Sequence, residues 1–176
     1  MAALSGALAA SLGQMVAGLS RKKKSQAAYV EPLSEAVARF QAAAHTLAEA
    51  IDRDAASFDS VMAAYKLPQG TPEEQQRRDA AIQEALHGAA SVPLEVARKA
   101  ADIFASLGQL EAMASPSMKS DIQVGRLMAA AAVRGALENV AINLESITDA
   151  AAVSRMRAEA AALASKVSEP AVGASR

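Results

Sequence analysis

The sequence predicts an all-α protein, a multi-helix up-and-down bundle with long central helices. Three observations carry this. Alanine, the strongest helix former, fills 46 of the 176 positions. Apolar residues recur at steps of three and four over most of the chain. No segment keeps the period-two alternation of a half-buried strand. The length suits one domain, expected over residues 1–168, with 169–176 as a frayed tail around Pro170 and Gly173. Three Phe, two Tyr and no Trp leave few bulky core residues. The helices must then approach through small side chains, and one chain buries modest apolar area, so a homodimer is expected.

The first element is an apolar helix over 2–20, with Leu4, Leu8, Leu12, Met15, Val16 and Leu19 at helical spacing. Ser5, Ser11, Gln14 and Ser20 interrupt it, so it reads as a buried small-residue helix and no membrane span is expected. Arg21, Lys22, Lys23 and Lys24 follow the apolar run, whereas a secretory signal carries its charge ahead of it. A cytoplasmic protein is expected. The basic run reads either as a solvated helix end, where cations suit the dipole, or as a seat for an anionic ligand tail.

Residues 31–67 form a long helix with a seam at Leu33, Val37, Phe40, Ala44, Leu47 and Ile51. The same steps lead on to Asp54, Phe58, Val61 and Tyr65, so Asp54 occupies a place where the pattern calls for an apolar residue. Pro68 to Thr71 break the chain. Thr71, Pro72 and Glu74 then spell a helix start with a capping box, running to about Ala90. Pro93 is expected to open a separate helix to about Met113, ended by Ser115-Pro116-Ser117. Ser120 is placed to cap a central helix over 121–147, and a sixth helix spans about 151–167. Met15, Met62, Met113, Met118, Met128 and Met156 read as core filler, and His45 as exposed.

Lys and Arg total 18 against 19 Asp and Glu, a net charge of −1. That balance argues against nucleic acid, whose phosphates need a basic excess. Zero Cys excludes disulfides, cysteine zinc sites and a thiol nucleophile. Two His, His45 and His87, are too few for a histidine metal site.

Asp54 leads the candidates for chemistry. Desolvation on an apolar seam would raise its pKa towards the range useful for proton transfer; a structural ion pair with a neighbouring helix is the plainer reading. Asp121 reads as a helix-start carboxylate or as a loop-placed catalytic one. Arg134, Glu138, Asn139 and Asn143 form a polar group on the central helix. Asn139 and Asn143, four apart, share a face and point to inter-helix hydrogen bonds or to a ligand. Arg77, Arg78 and Gln83 read as solvent-facing.

In order along the chain stand AALSGALAASLGQMVAGLS then RKKK (2–24), DRDAASFDSVMAAYKLP (52–68), TPEEQQRRDAAIQEAL (71–86), AASVPLEVA (89–97), SDIQV (120–124) and RGALENVAINLESITD (134–149). Together these resemble the folate cyclodeaminase/cyclohydrolase family, over residues 2–149. Each stretch alone is weak; the ordered set is specific. The resemblance implies hydrolysis of 5,10-methenyltetrahydrofolate to 10-formyltetrahydrofolate, with formiminotetrahydrofolate cyclodeamination as the alternative. It implies Asp54 and Asp121 as catalytic carboxylates. It implies Lys23, Lys24, Arg78, Ser120, Arg134, Asn139 and Asn143 as folate contacts, the lysines meeting the glutamate tail. No metal and no cofactor beyond the folate substrate is expected. The chain departs from the family pattern in lacking the Gly-rich segment ahead of Ala2. Gln69 stands in place of a lysine, and Ser115 to Met118 in place of Gly-Asn-x-Asn. These departures imply a second alternative, a helical oligomer without catalysis.

Overall fold

The computed structural model describes residues 1–168; the expected tail, 169–176, lies outside the described residues. Five α-helices occupy the described chain: α1 Ala2–Ser20, α2 Val30–Tyr65, α3 Pro72–Glu111, α4 Lys119–Leu144 and α5 Ala150–Lys166. Short 3₁₀ turns fill Lys24–Tyr29 and Pro116–Met118. No strand occurs among the described residues.

Small residues set the packing. A Cβ on Gly13 would lie 2.8 Å from the Phe40 ring, and one on Gly6 would lie 2.9 Å from Leu47 Cδ1. These pairings fix α1 antiparallel to α2. Gly125 faces Leu107 Cδ1 at 3.1 Å from its virtual Cβ and the Ala9 carbonyl at 3.6 Å, so α4 closes on both α3 and α1. Ser5 Oγ donates to the Met128 carbonyl at 2.9 Å, the same antiparallel register. The core between them is Val16, Leu33, Phe40, Leu47, Leu94, Leu107, Leu110, Ile122 and Val133. The segments Ala2–Ser20 and Pro116–Leu144 are long and apolar enough to cross a membrane by length and composition; here they pack against each other.

The capping box reads as expected. Glu74 N–H donates to Thr71 Oγ1 at 3.2 Å, and Glu74 Oε2 accepts from Thr71 N–H at 3.1 Å. Four expectations need correction. Pro93 does not open a new helix: α3 runs through it unbroken to Glu111. A helix-interior proline strips the carbonyl four residues back of its donor, and that carbonyl, Ala89 O, accepts from Asn143 Nδ2 at 2.9 Å instead. Ser120 does not cap α4, because the preceding 3₁₀ turn carries the chain into the helix by Lys119 and puts Met118 at the cap position. Gln83 is half-exposed but not free in solvent: its Oε1 accepts from the Thr148 N–H and Oγ1, and its Nε2 donates to the Ser146 carbonyl, tying down the turn between α4 and α5. Met15 and Met62 are exposed, whereas Met113, Met118, Met128 and Met156 pack on the core.

The α2 seam is buried only in its first half. Leu33, Phe40 and Leu47 are sealed, but Phe58 is 63% exposed and Ile51 42%. α2 has 36 residues and α1 has 19, so α2 outruns its partner by about 25 Å at 1.5 Å per residue. Beyond Asp54, α2 faces α3 and the end of α4.

Candidate functional site

Two crevices open where α1 begins and α2 runs on alone. A small one, ≈ 50 Å³, is lined by Ala3, Ala50, Ile51, Asp54, Pro93, Val96, Ala136 and Asn139 among others. A larger one, ≈ 290 Å³, is lined by Asp54, Ser57, Phe58, Val61, Leu86, Ala89, Asn139, Ile142 and Asn143. Asp54 and Asn139 belong to both and stand between them. A wider groove, ≈ 690 Å³, continues between the same halves of α2 and α3 past Ser57, Ser60, Ala64, Leu67 and Gly88.

Asp54 is exposed, not buried as its seam position predicts. Its carboxylate is in no ion pair among the described residues, so the structural-partner reading also fails. Asn139 is exposed beside it on α4, and Asn143, one turn on, is half-buried. The carboxylate and two amides sit among Phe58, Val61, Leu86 and Ile142. Apolar walls with a few convergent polar groups suit a flat, partly polar ligand. A carboxylate there can accept a proton or face a cation.

The remaining expected residues lie elsewhere. Asp121 is half-exposed in the first turn of α4, where the dipole favours it. It precedes Asn139 by eighteen residues; that is five turns, so the two share a stripe of α4 but stand about 27 Å apart. One chain therefore does not bring Asp54 and Asp121 into one crevice. Lys23 is at the Asp121 end. Its Nζ donates to Ser115 Oγ and Ser117 Oγ, each at 2.9 Å, pinning the loop after α1 to the turn before α4. Lys24 and Ser120 are exposed at that end. Arg78 donates to the Tyr65 carbonyl at 3.3 Å from one amino group and 3.4 Å from Nε, satisfying the C-terminus of α2. Arg134 donates to the Val167 carbonyl at 3.3 Å, which does the same for α5. These two arginines are occupied as helix-end donors, away from Asp54.

Sequence reasoning missed Phe58 as a site residue, because the seam assigned it to the core. It also missed Ile142, whose 65% exposure puts an apolar side chain at the rim. Among the described residues no three His, Cys, Asp or Glu side chains converge to hold a metal ion.

The comparisons with known proteins agree on the relationship. The formimidoyltransferase-cyclodeaminase of Gallus gallus is 39% identical over 149 residues, covering 85% of this chain and 28% of its own length. The chain thus spans less than a third of that relative. The methenyltetrahydrofolate cyclohydrolase of Methylorubrum extorquens is 37% identical over 156 residues, covering 85% of this chain and 72% of its own. In structure, the formiminotetrahydrofolate cyclodeaminase of Thermotoga maritima superposes with a TM-score of 0.78 at 29% identity, covering 94% of this chain and 79% of that one. The formiminotransferase-cyclodeaminase family model matches residues 1–162. With that span and the shared all-helical fold, the chain belongs to the formiminotransferase-cyclodeaminase family.

Proposed function

We propose that the protein is a methenyltetrahydrofolate cyclohydrolase, hydrolysing 5,10-methenyltetrahydrofolate to 10-formyltetrahydrofolate. The carrying observation is the crevice that Asp54, Asn139 and Asn143 line together with the exposed Phe58. The methenyl bridge is a cationic carbon between two nitrogens. A carboxylate favours it electrostatically and can take the proton from attacking water. The tetrahedral carbon then releases one ring nitrogen, which receives a proton from the carboxyl group. One water is consumed and one proton is released overall. Phe58 offers a face for the flat pterin, and the groove between α2 and α3 has room for the rest of the folate.

Hydrolysis has a precedent in the cyclohydrolase relative, which this chain covers over 72% of its length. The purified protein should hydrolyse methenyltetrahydrofolate well above the buffer rate. Asp54→Asn should lose on the order of 10²-fold of that excess, the usual worth of a general base. Full activity in the variant removes Asp54 from the role; ammonia release from formiminotetrahydrofolate, without hydrolysis, installs the deaminase reading.

The working unit in this proposal is a cytoplasmic homodimer. α1 exposes Leu4, Leu8, Met15 and Leu19 opposite its buried face, and α4 exposes Val124 and Leu127. A contiguous exposed apolar surface of this kind marks a place where a partner packs. Light scattering at micromolar concentration should give twice the chain mass of 18.0 kDa; a monomer contradicts the proposal.

A further inference from the structure

We propose that Asn143 determines specificity in this crevice, locked as a hydrogen-bond acceptor by the proline of the neighbouring helix; the inference rests on the folate reading above. Pro93 sits in the interior of α3 and has no N–H to give the Ala89 carbonyl. Asn143 Nδ2 fills that gap from α4 at 2.9 Å. The bond does two things. It lets a proline stand in a continuous helix, and it fixes which end of the Asn143 amide faces the crevice. A flipped amide would set Oδ1 against the Ala89 oxygen, acceptor against acceptor. One N–H of Nδ2 is therefore spent on the backbone, and Oδ1, which has no hydrogen-bond partner among the described residues, is the end of the amide turned away from Ala89 and left for a ligand.

Asp54 lines the same crevice and, ionised, is also acceptor-only. With Asp54 ionised, the crevice thus presents two acceptor groups, Asn143 Oδ1 and the Asp54 carboxylate, beside the amide of Asn139. The matching ligand edge carries N–H donors. In a reduced pterin that is the edge formed by ring N3–H and the exocyclic 2-amino group. Asn143 Oδ1 accepts from this edge and sets the ring in place, while Asp54 addresses the one-carbon bridge. An analogue with the 2-amino group replaced by hydrogen loses a donor and leaves a desolvated oxygen unmatched.

The test separates the two halves. Asn143→Ala in the otherwise native protein should lower Tm by about 3–8 °C, since a half-buried carbonyl is left bare. In a Pro93→Ala background residue 93 regains its N–H, so the same substitution should cost less than half as much. Equal losses in both backgrounds overturn the splice between Asn143 and Pro93. Kinetics then compare Pro93→Ala with Pro93→Ala/Asn143→Ala. The double variant should raise KM for methenyltetrahydrofolate about tenfold, one hydrogen bond's worth, with kcat within threefold. An unchanged KM, or a loss confined to kcat as expected if Asn143 orients water, overturns the specificity role. The melting arm needs no substrate. A protein that turns over no folate refutes the cyclohydrolase proposal and the specificity role with it, while the splice still stands or falls by Tm.

Discussion

Gly13 and Gly88 show how much one Cβ decides. Gly13 abuts Phe40, whose ring is fully buried, with 2.8 Å between ring and virtual Cβ. Gly13→Ala must push either the ring or the helix, and should cost about 1–3 kcal/mol as overpacked cores do. Gly88 has nothing within 4 Å of its virtual Cβ and stands inside α3. Gly88→Ala should stabilise by about 0.5–1 kcal/mol through helix propensity alone. Chemical denaturation of both variants checks the opposite signs; a Gly13→Ala variant as stable as the native protein would show that the α1–α2 approach is not what Gly13 secures. The sequence marks both as small residues in helical runs and cannot rank them, because the obstacle at Gly13 belongs to a different helix. Asp54 teaches the same thing. Its seam position was legible, but its exposure was not, since that depends on which other helices pack beside α2 at that level.

At the scale of the element, what was legible is what is local. Thr71, Pro72 and Glu74 announced the start of α3 because a capping box is closed within four residues. Pro93 misled for the complementary reason: the donor that rescues its helix, Asn143, is fifty residues further on. α5 is held by a similar distant contact. Glu159 pairs with Arg98 of α3 through both carboxylate oxygens, the second at 3.0 Å from the guanidinium. That hydrogen bond holds the Glu159 carboxyl below the usual range and raises Arg98. At the start of α5, the Asp149 carboxyl is lowered by accepting from the Ala152 and Ala151 N–H groups. Carboxyls depressed in the fold stabilise it above their unfolded pKa and cease to do so as pH falls through the folded value. The Tm should therefore hold near neutrality and decline below about pH 4.3, the free glutamate value. Glu159→Gln should flatten part of that decline. The pair is half in solvent, so its share is at most about 1 kcal/mol. A variant whose acid profile overlays the native one would take the pair out of α5 docking.

For the whole molecule, the separation of the two carboxylates proposed for the chemistry is the fact to be explained. Asp54 lies with Asn139 near the end of α4, while Asp121, Ser120 and Lys23 lie about 27 Å away at its start. The proposed homodimer resolves this if its two-fold axis crosses the rod of α1 and α4 near the middle. Such an isologous pairing lays the Asp121 end of one chain against the Asp54 end of the other, with the exposed leucines of α1 covered between them. Each active site then draws Asp54 from one subunit and Asp121 from its mate. The arrangement makes a sharp demand on mixed dimers. Asp54→Asn and Asp121→Asn homodimers should both be nearly inactive. A heterodimer of the two, co-expressed with different tags and purified through both, has one site carrying both lesions and one carrying neither. It should recover about half the activity of the native dimer, because one of its two sites is whole. If each chain instead uses its own carboxylates, every site in the heterodimer is damaged and activity stays at the level of the single variants. An active Asp121→Asn homodimer would remove that residue from the chemistry altogether and leave Asp121 as a stabilising charge at a helix start.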